Sequence, residues 1–283
     1  MNKRISPLVT IAIPIYNAER FLIDAVQSCI NQTYRNWELL LMCDGSTDNS
    51  VAIANAMAAK DNRIRVVDDG ENKGLIYRLK QSINLAKGEF YARMDADDIM
   101  YTTRIAEQVE FLENHSDIDL VGSSIMTIDA QNNIVGSGYY NGIVYSFVHP
   151  SVMGKTMWFK NNLYAQWPTR AEDKELWLRT SSTSNFYAIG RPLLFYREFG
   201  VPTFQKYYAT QKTLLRIYAN YKRYNKSLLW CIKNYTFTIS KIICSALLAL
   251  FGMDELVVKM RSRRPVPSDM LLTSDDLTKS IRK

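Results

Sequence analysis

Three aspartates, Asp95, Asp97 and Asp98, occupy four consecutive positions in this sequence. They directly follow residues 88–94, a segment typical of a buried strand. Carboxylates this close repel one another, and a hard divalent cation such as Mg²⁺ or Mn²⁺ would offset the repulsion while keeping substrate phosphate oxygens as further ligands. A calcium loop of the EF-hand type is excluded, because no glutamate stands at its required last position. The segment alone therefore leaves two alternatives of equal weight, a cation site or a solvated turn.

Polar loops also follow other apolar segments in the first part of the chain. Residues 8–16 and 37–43 are apolar, and a polar loop comes after each of them. A third polar loop, 71–75, precedes a segment with helical spacing. An Asx-turn or a helix N-cap is the structural alternative for Asp44, and an ordinary turn is the alternative for the third loop. The side chains in and beside these loops that could bind a ligand are Pro14, Tyr16, Asn17, Glu19, Asp44, Asn72 and Lys73.

The segments that must position these loops alternate between strand and helix. Near-continuous apolar strands followed by helices predict an α/β fold with a mostly parallel sheet flanked by helices. Sheets of this kind bind ligands at the carboxyl ends of their strands, where the polar loops lie. After residue 115 we expect a hairpin-like excursion around residues 132–133, a helix from about residue 171 and two short final strands. The predicted parallel strands are 8–16, 37–44, 63–69 and 89–95.

In their order and context, these motifs resemble the family 2 glycosyltransferases, enzymes of the A-type glycosyltransferase fold that use nucleotide-diphosphate sugars. The resemblance runs from about residue 8 to residue 200. It implies that the end of the first strand and Asp44 hold the nucleotide base, where a carboxylate can accept the imide N–H of uracil or thymine. It also implies that Asn72, Lys73 and Gly74 lie beneath the ribose and the diphosphate. The implied base-binding residues are Pro14, Tyr16, Asn17, Glu19 and Asp44.

The resemblance gives the acidic residues different roles. Asp95 lies on the nucleotide side of the cation, Asp97 is the main protein ligand of Mg²⁺ or Mn²⁺, and Arg93 adds positive charge or pairs with the aspartates. Asp173 is the general base that removes the proton of an attacking acceptor hydroxyl. A single in-line displacement inverts the anomeric configuration, so no second carboxylate nucleophile is needed. The alternative for Glu172 and Asp173 is an acidic first turn of a helix.

Four residues are candidates for the acceptor site: His149, Glu172, Trp177 and Arg197. Trp177 falls one helical turn after Asp173 and could stack on a sugar, with core packing as the alternative. His149 is a candidate for contact with acceptor phosphate or metal, and Arg197 for a phosphate contact or a structural ion pair. The chain departs from the family pattern at Lys80, Lys155 and Glu198, which leaves the acceptor open. Similarity to bacterial members implies a lipid-linked saccharide or a growing polysaccharide as acceptor.

Positive charge is concentrated in the second part of the chain. Residues 1–190 contain 18 Lys/Arg and 22 Asp/Glu, a net charge of −4. Residues 191–264 contain 14 Lys/Arg and 3 Asp/Glu, a net charge of +11. This division predicts one part that carries chemistry and one that binds an anionic surface, either a membrane or a nucleic acid.

Residues 203–251 contain no proline or glycine and are predicted to be helical throughout. The longest uncharged run, 242–253, has 12 residues, whereas a membrane span needs about 20. We therefore expect a basic amphipathic helix in the membrane interface, with packing on the core as the alternative. On a helical wheel the basic arc contains Lys212, Arg216, Lys222, Arg223, Lys226, Lys233 and Lys241, and the apolar arc Ile217, Tyr221, Leu228, Ile232, Ile239, Ile242 and Leu250.

The expected organisation is a catalytic domain at 1–200, a basic amphipathic region at 201–264 and a flexible tail at 265–283. The apolar run near the N-terminus contains a proline and lacks a small-residue cleavage site, so it predicts a buried strand rather than a signal peptide. Four dispersed cysteines and two histidines argue against a disulfide framework or a zinc site, and they fit a reducing compartment. We expect a cytoplasmic protein that is peripheral on the cytoplasmic face of the membrane.

Three other functions are weaker. A sugar nucleotidyltransferase usually has a glycine-rich basic loop after its first strand, and residues 14–22 contain no glycine. A non-catalytic nucleotide-sugar-binding protein would not need Asp95, Asp97 and Asp173 together. Nucleic acid is not expected as a partner, because the sequence contains no recognised nucleic-acid-binding module.

Overall fold

The computed structural model describes residues 6–168, 170–198, 204–253 and 264–282. The chain forms two compact units: unit 1 comprises Met1–Leu163, Ser184–Glu198 and Arg264–Lys283, and unit 2 comprises Tyr164–Thr183 and Phe199–Arg263. The chain thus leaves unit 1 twice and returns to it twice, whereas the sequence led us to expect three consecutive segments, 1–200, 201–264 and 265–283. Within the predicted basic region, residues 201–203 and 254–263 lie outside the described residues.

A ten-stranded sheet is the framework of unit 1. Its strand order is β3-β2-β1-β4-β9-β6-β10-β5, and β7 and β8 pair at the side with β6 and β10. The strands are β1 Val9–Ile15, β2 Trp37–Cys43, β3 Ile64–Val67, β4 Phe90–Arg93, β5 Ile99–Met100, β6 Leu120–Ile128, β7 Ile134–Gly138, β8 Gly142–Ile143, β9 Met153–Lys155 and β10 Phe186–Arg197. The helices of unit 1 are α1 Leu22–Ile30, α2 Ser50–Ala58, α3 Leu75–Leu85, α4 Arg104–Asn114, α5 Thr156–Asn161 and α9 Ser274–Ile281.

The first four strands are parallel and are joined through α1, α2 and α3, as the sequence predicts. Strands β1 and β2 are buried almost throughout, which explains why they are apolar at nearly every position rather than at alternate ones. Their side chains form one large core with those of the flanking helices α1, α2 and α4. The predicted α/β class, with a parallel part of the sheet flanked by helices, is therefore confirmed.

The second part of the sheet contains the antiparallel pairs. Strand β6 pairs antiparallel with β7 through a turn in which Asn132 adopts a left-handed conformation, with φ +67. The two short final strands expected from the sequence are one continuous strand, β10. Its pairing with β6 shifts register around Pro192, because proline lacks the N–H that a regular ladder requires.

The C-terminal segment is folded, although the sequence led us to expect a flexible tail. Helix α9 begins with a capping box between Thr273 and Asp276. Leu272 and Leu277 are buried against a cluster formed by side chains of β5, β6 and β10. The sequence signal is weak because an eight-residue helix with so few apolar side chains looks like a polar tail until its partner surface is known.

Unit 2 contains α6 Glu172–Thr180, α7 Phe204–Ala219 and α8 Leu228–Leu250. The prediction of one continuous helix over 203–251 was wrong. The chain breaks after α7, where Asn225 has φ +53 and the Ser227 hydroxyl accepts a hydrogen bond from the N–H of Trp230 to begin α8. Ile217, which the helical wheel places on the apolar arc, is 1% exposed and packs with Leu214 and Tyr224.

Candidate donor and cation site

Parallel pairing brings the ends of three strands to one edge of the sheet. Ile15 at the end of β1 is paired with Cys43 at the end of β2, and Ala12 is paired with Arg93 at the end of β4. The polar loops that follow these strands therefore meet at the same edge, which is where open parallel sheets bind ligands.

The loops after β1 and β2 are tied together by side-chain hydrogen bonds. Asn17, with φ +50, accepts a hydrogen bond at Oδ1 from the N–H of Thr47 at 2.8 Å. Glu19 accepts one at Oε2 from the N–H of Asn49 at 3.0 Å. Asn17 and Glu19 thus shape the edge, whereas Tyr16 is 54% exposed and is open to a ligand. Pro14 is within β1 and is partly buried.

Asp44 is a buried hub between the second and third loops. Its Oδ1 accepts hydrogen bonds from the main-chain N–H of Lys73 at 2.8 Å and of Gly74 at 3.1 Å. The same oxygen accepts one from Arg78 Nε at 3.0 Å. The carboxylate therefore neither closes an Asx-turn nor caps α2. It holds the loop 71–74 against the end of β2.

Arg78 was not identified from the sequence as part of this site. Its side chain is fully buried in α3, and its Nη2 and Nη1 donate to the two carboxylate oxygens of Asp69 at 2.6 and 3.1 Å. Hydrogen bonds from Arg78 and Lys73 hold the pKa of Asp69 well below its usual range. The one sequence signal for this role was a helical arginine four residues after Gly74, which alone is indistinguishable from a solvated cation.

The loop 71–74 passes very close to β2. Gly45 has φ +64, and a side chain there would place its Cβ 2.6 Å from the main-chain nitrogen of Asn72. Asn72 itself is exposed. Lys73 is paired through Nζ with Asp69 at 2.8 Å and with Glu71 at 3.0 Å, and these partners raise its pKa. Its expected contact with phosphate would require it to leave those partners.

Asp95, Asp97 and Asp98 form an all-oxygen cluster at the end of β4. Each can offer one carboxylate oxygen such that the three atoms lie within 4.8 Å of one another. Asp95 is ion-paired with Arg93. Asp98 is fully buried, and its Oδ2 has no hydrogen-bond partner among the described residues.

The electrostatics of this cluster fit a divalent cation. Burial and repulsion from Asp95 raise the pKa of Asp97 to about 6. Burial raises the pKa of Asp98 well above its ordinary value, with further contributions from Asp95 and Asp97. Negative charge that is disfavoured in this way is stabilised by a bound cation, and oxygen-only donors suit Mg²⁺ or Mn²⁺. The residues present therefore fit the metal that the family implies.

Two acceptor-site candidates in unit 1 are buried. His149 belongs to a short 3-10 helix, 149–151, and is 8% exposed. Arg197 is 4% exposed and donates to main-chain carbonyl oxygens of Asp97 and Asp129. Among the described residues, the partners of the Arg197 side chain are thus main-chain carbonyl groups of the fold. The side chain does not reach into solvent.

The remaining candidates lie in unit 2. Glu172 and Asp173 are both partly exposed in the first turn of α6. The preceding residue, Ala171, has φ +56, a left-handed conformation that is unfavourable for a non-glycine residue. Trp177 is 1% exposed, so its buried ring presents no face on which a sugar could stack.

A parallel sheet with nucleotide-type loops and an acidic cluster at one edge defines the class of A-type glycosyltransferase folds. Solved structures agree with this fold. *S. aureus* TarS residues 1–349 in complex with UDP has a TM-score of 0.59 at 16% identity, covering 75% of this chain and 65% of that one. The mannosyltransferase PcManGT from Pyrobaculum calidifontis, in complex with GDP-Man and Mn²⁺, has a TM-score of 0.61 at 16% identity, covering 98% and 86%.

Residues 10–182 match the family model described as glycosyl transferase family 2, and the chain belongs to this family. The putative glycosyltransferase EpsE of Bacillus subtilis is 34% identical over 184 residues, covering 61% of this chain and 66% of that protein. An uncharacterised glycosyltransferase of Haemophilus influenzae is 30% identical over 223 residues, covering 71% and 68%. The match thus spans about two thirds of these relatives. The predictions of the family, the A-type fold and a glycosyltransferase are confirmed.

None of the described helices combines the length and apolar character needed to cross a bilayer.

Proposed function

We propose that this glycosyltransferase moves a sugar from a nucleoside-diphosphate sugar to a hydroxyl of a lipid-linked saccharide or growing polysaccharide, with inversion and with Mg²⁺ or Mn²⁺. The observation that carries the proposal is the cluster of Asp95, Asp97 and Asp98 beside the loops after β1 and β2. The solved neighbours that bind UDP, UDP-GlcNAc or GDP-Man with Mn²⁺ support this class of donor. The carboxylate of Asp44 favours a pyrimidine with an imide N–H, so UDP-sugars are the first choice.

In the proposed mechanism, the residues of the donor edge bind and orient. The loop 71–74, held by Asp44 and Arg78, lies beneath the ribose and diphosphate. Asp97 and Asp95 would hold the cation, which when bound would offset the charge of the departing nucleoside diphosphate. Asp173 accepts the proton of the acceptor hydroxyl while that oxygen attacks the anomeric carbon from the face opposite the leaving group.

A direct test is a screen of nucleotide sugars for Mn²⁺-dependent binding, starting with UDP-GlcNAc and GDP-Man. The best donor is then assayed with lipid-diphosphate-sugar acceptors, with and without EDTA. We expect turnover that EDTA removes and added Mn²⁺ restores. Turnover that is unchanged in EDTA would contradict the metal requirement.

The base is tested by Asp173→Asn. The substitution keeps the size of the side chain but removes its proton-accepting carboxylate, so we expect at least a 100-fold loss of turnover with donor affinity unchanged, consistent with the typical contribution of a general base of about 10² to 10⁴. Asp275→Asn is the matched control, because Asp275 is an exposed aspartate in the first turn of α9, outside the proposed site. Full activity of Asp173→Asn would remove the assignment.

We also propose that unit 2 attaches to an anionic membrane surface through α8. Exposed apolar side chains run along the whole helix, among them Leu229 at 79%, Phe237 at 58% and Leu250 at 80% exposure. Lys233 and Lys241 are also exposed on α8. An apolar face bordered by lysines is typical of helices that lie in the membrane interface.

Flotation with liposomes of anionic and of neutral lipid tests the attachment. We expect Leu229→Asn with Leu250→Asn to reduce flotation with anionic liposomes, and Lys233→Glu to reduce it further. Leu271→Asn is the control, because that leucine is also exposed, at 44%, but belongs to unit 1. Equal flotation of all the variants would show that α8 does not bind the membrane.

A further inference from the structure

We propose that Arg197 is a positioning residue for the cation site, which orients the loop 95–98 through main-chain contacts without touching donor or acceptor. The proposal rests on the function proposed above, because it assumes that the loop holds a divalent cation. It goes beyond the sequence analysis, in which Arg197 was a candidate for a contact with phosphate or for an ion pair.

Arg197 makes three hydrogen bonds that converge on this loop and on one neighbouring turn. Its main-chain N–H donates to Asp98 Oδ1 at 2.8 Å. Its Nε donates to the carbonyl oxygen of Asp97 at 2.7 Å, and its Nη1 donates to the carbonyl oxygen of Asp129 at 2.6 Å. One residue thus holds the carboxylate of one aspartate and the peptide group of its neighbour.

The arginine is itself held firmly. It is the last residue of β10, where its main chain is paired with Ile128 of β6. Strand β5, which begins directly after the loop, pairs antiparallel with the same strand β10. The guanidinium carbon lies 4.3 Å from the centre of the Phe21 ring, and the side chain is buried. A buried, stacked and strand-anchored guanidinium has little freedom to move with a ligand.

The turn at Asp129 is braced as well. Arg20 Nη2 donates to the carbonyl oxygen of Ala130 at 3.1 Å, and Asn132 Nδ2 donates to Asp24 Oδ2 at 3.3 Å. Arg197 therefore connects the loop 95–98 to a turn that is fixed on the segment at the start of α1. This connection fixes the relative positions of the carboxylates in the cluster.

Positioning matters here because the cluster repels itself. Without the hydrogen bond from Arg197 to the carbonyl oxygen of Asp97, the loop would relax and its carboxylates would move apart. This change would stabilise the metal-free state and weaken cation binding. Partners that orient metal ligands typically contribute about 10- to 100-fold in metal affinity. One nitrogen, Arg197 Nη2, is buried and has no hydrogen-bond partner among the described residues, so a phosphate contact is the alternative that the experiment must separate.

The experiment is a titration of Mn²⁺ followed by electron paramagnetic resonance of the free ion, without nucleotide. The variants are Arg197→Met and Arg197→Lys. The matched control is Arg191→Met, since Arg191 is on the same strand, pairs with Glu107 at 2.9 Å and lies over the Tyr101 ring at 5.0 Å. Circular dichroism establishes that each variant is folded, and UDP binding is measured in EDTA in parallel.

We expect Arg197→Met to weaken Mn²⁺ binding by about 10- to 100-fold, while Arg191→Met stays within about twofold of the wild type. Arg197→Lys should weaken it by at least about threefold, because one ammonium group cannot reproduce the planar fork that spans two carbonyl oxygens. If Arg197→Met does not fold, Arg197→Lys decides the question by the same measurement.

Two results would overturn the inference while leaving the proposed function in place. One is an unchanged Mn²⁺ affinity in folded Arg197 variants. If these variants also bind UDP more weakly in EDTA, Arg197 contacts the phosphate instead. The other is an equal loss in Arg191→Met, which would show a general effect of the strand. A wild-type protein that binds no Mn²⁺ would instead overturn the metal dependence of the proposed function and this inference with it.

Discussion

Replacing Asp97 with asparagine should make the metal-free protein more stable and should abolish its response to Mn²⁺. The substitution keeps the shape of the side chain and removes one charge from a cluster of three carboxylates within 4.8 Å. Negative charge at this position is unfavourable without a cation, because the site is largely buried and faces Asp95.

The magnitude follows from the pKa of Asp97, which burial and Asp95 raise from 3.8 to about 6. One pH unit corresponds to about 1.4 kcal/mol, so ionised Asp97 costs the folded state about 3 kcal/mol above pH 6. In Asp97→Asn the carboxylates of Asp95 and Asp98 still repel each other, so only part of this cost is removed. We therefore expect the substitution to raise the free energy of unfolding by about 1–3 kcal/mol. For a unit of this size, that is a rise in Tm of about 3–10 °C.

The sign of the pH dependence is part of the prediction. Between pH 3.8 and about 6 the folded wild type binds more protons at Asp97 than the unfolded chain does, so its stability falls as the pH rises through this window. The advantage of Asp97→Asn should therefore be absent near pH 4 and complete at pH 7.5. Asp269→Asn is the control, because Asp269 is exposed and outside the cluster.

The assay is thermal and urea unfolding in EDTA at pH 4, 5, 6 and 7.5, repeated at pH 7.5 with Mn²⁺. A cation at 100 times its Kd stabilises the wild type by about 2.7 kcal/mol, and Asp97→Asn should lose this gain. Added Mn²⁺ should therefore bring the wild type at least close to the stability of Asp97→Asn, or above it. The reasoning is refuted if Asp97→Asn is less stable in EDTA at pH 7.5, or if both proteins respond equally to Mn²⁺.

Three further substitutions test how the edge and the C-terminal segment are held, each by urea unfolding in EDTA. Arg78→Met should lower the free energy of unfolding by about 3–5 kcal/mol, because it leaves the buried carboxylate of Asp44 without its cation; a loss under about 1 kcal/mol would contradict the buried hub. Gly45→Ala should lower the free energy of unfolding by at least about 2 kcal/mol more than Gly70→Ala. Both glycines have positive φ, but only a Cβ at position 45 would meet backbone atoms, at 2.6 Å. Equal losses would contradict the close approach of the backbone. Leu277→Ala should lower the free energy of unfolding by about 2–4 kcal/mol, and Leu271→Ala should change it very little, because Leu277 is 3% and Leu271 44% exposed. Small and equal losses would support a flexible C-terminal tail instead.

The parallel part of the fold was predictable because its signal is local. Strands buried on both faces are apolar at consecutive positions, as in β1 and β2, and the helices between them have regular apolar spacing. The polar loops follow because a parallel sheet gathers its carboxyl ends at one edge. The cluster at Asp97 could be located for the same reason, since its residues are adjacent in the sequence.

What the sequence did not reveal depends on contacts between distant segments. Arg78 looks like a solvated helical cation until Asp44 and Asp69 are brought beside it. Helix α9 is recognised only with the surface that covers Leu277. The break between α7 and α8 has no glycine or proline, and it depends on Asn225 in a left-handed conformation, which asparagine tolerates better than most residues.

The distribution of ion pairs along this edge of the sheet explains why Asp97 and Asp98 are the candidates for a cation site. Asp44 and Asp69 share the buried guanidinium of Arg78, and Asp95 has Arg93. These carboxylates are compensated within the protein and can serve as fixed acceptors and braces. Asp97 and Asp98 are different, because burial and the neighbouring carboxylates together raise their pKa. Among the described residues, Arg93 and Arg197 offset the charge of these two aspartates only in part. We expect a divalent cation carried with a diphosphate to offset this charge, so Mn²⁺ and the donor should each raise the affinity of the protein for the other.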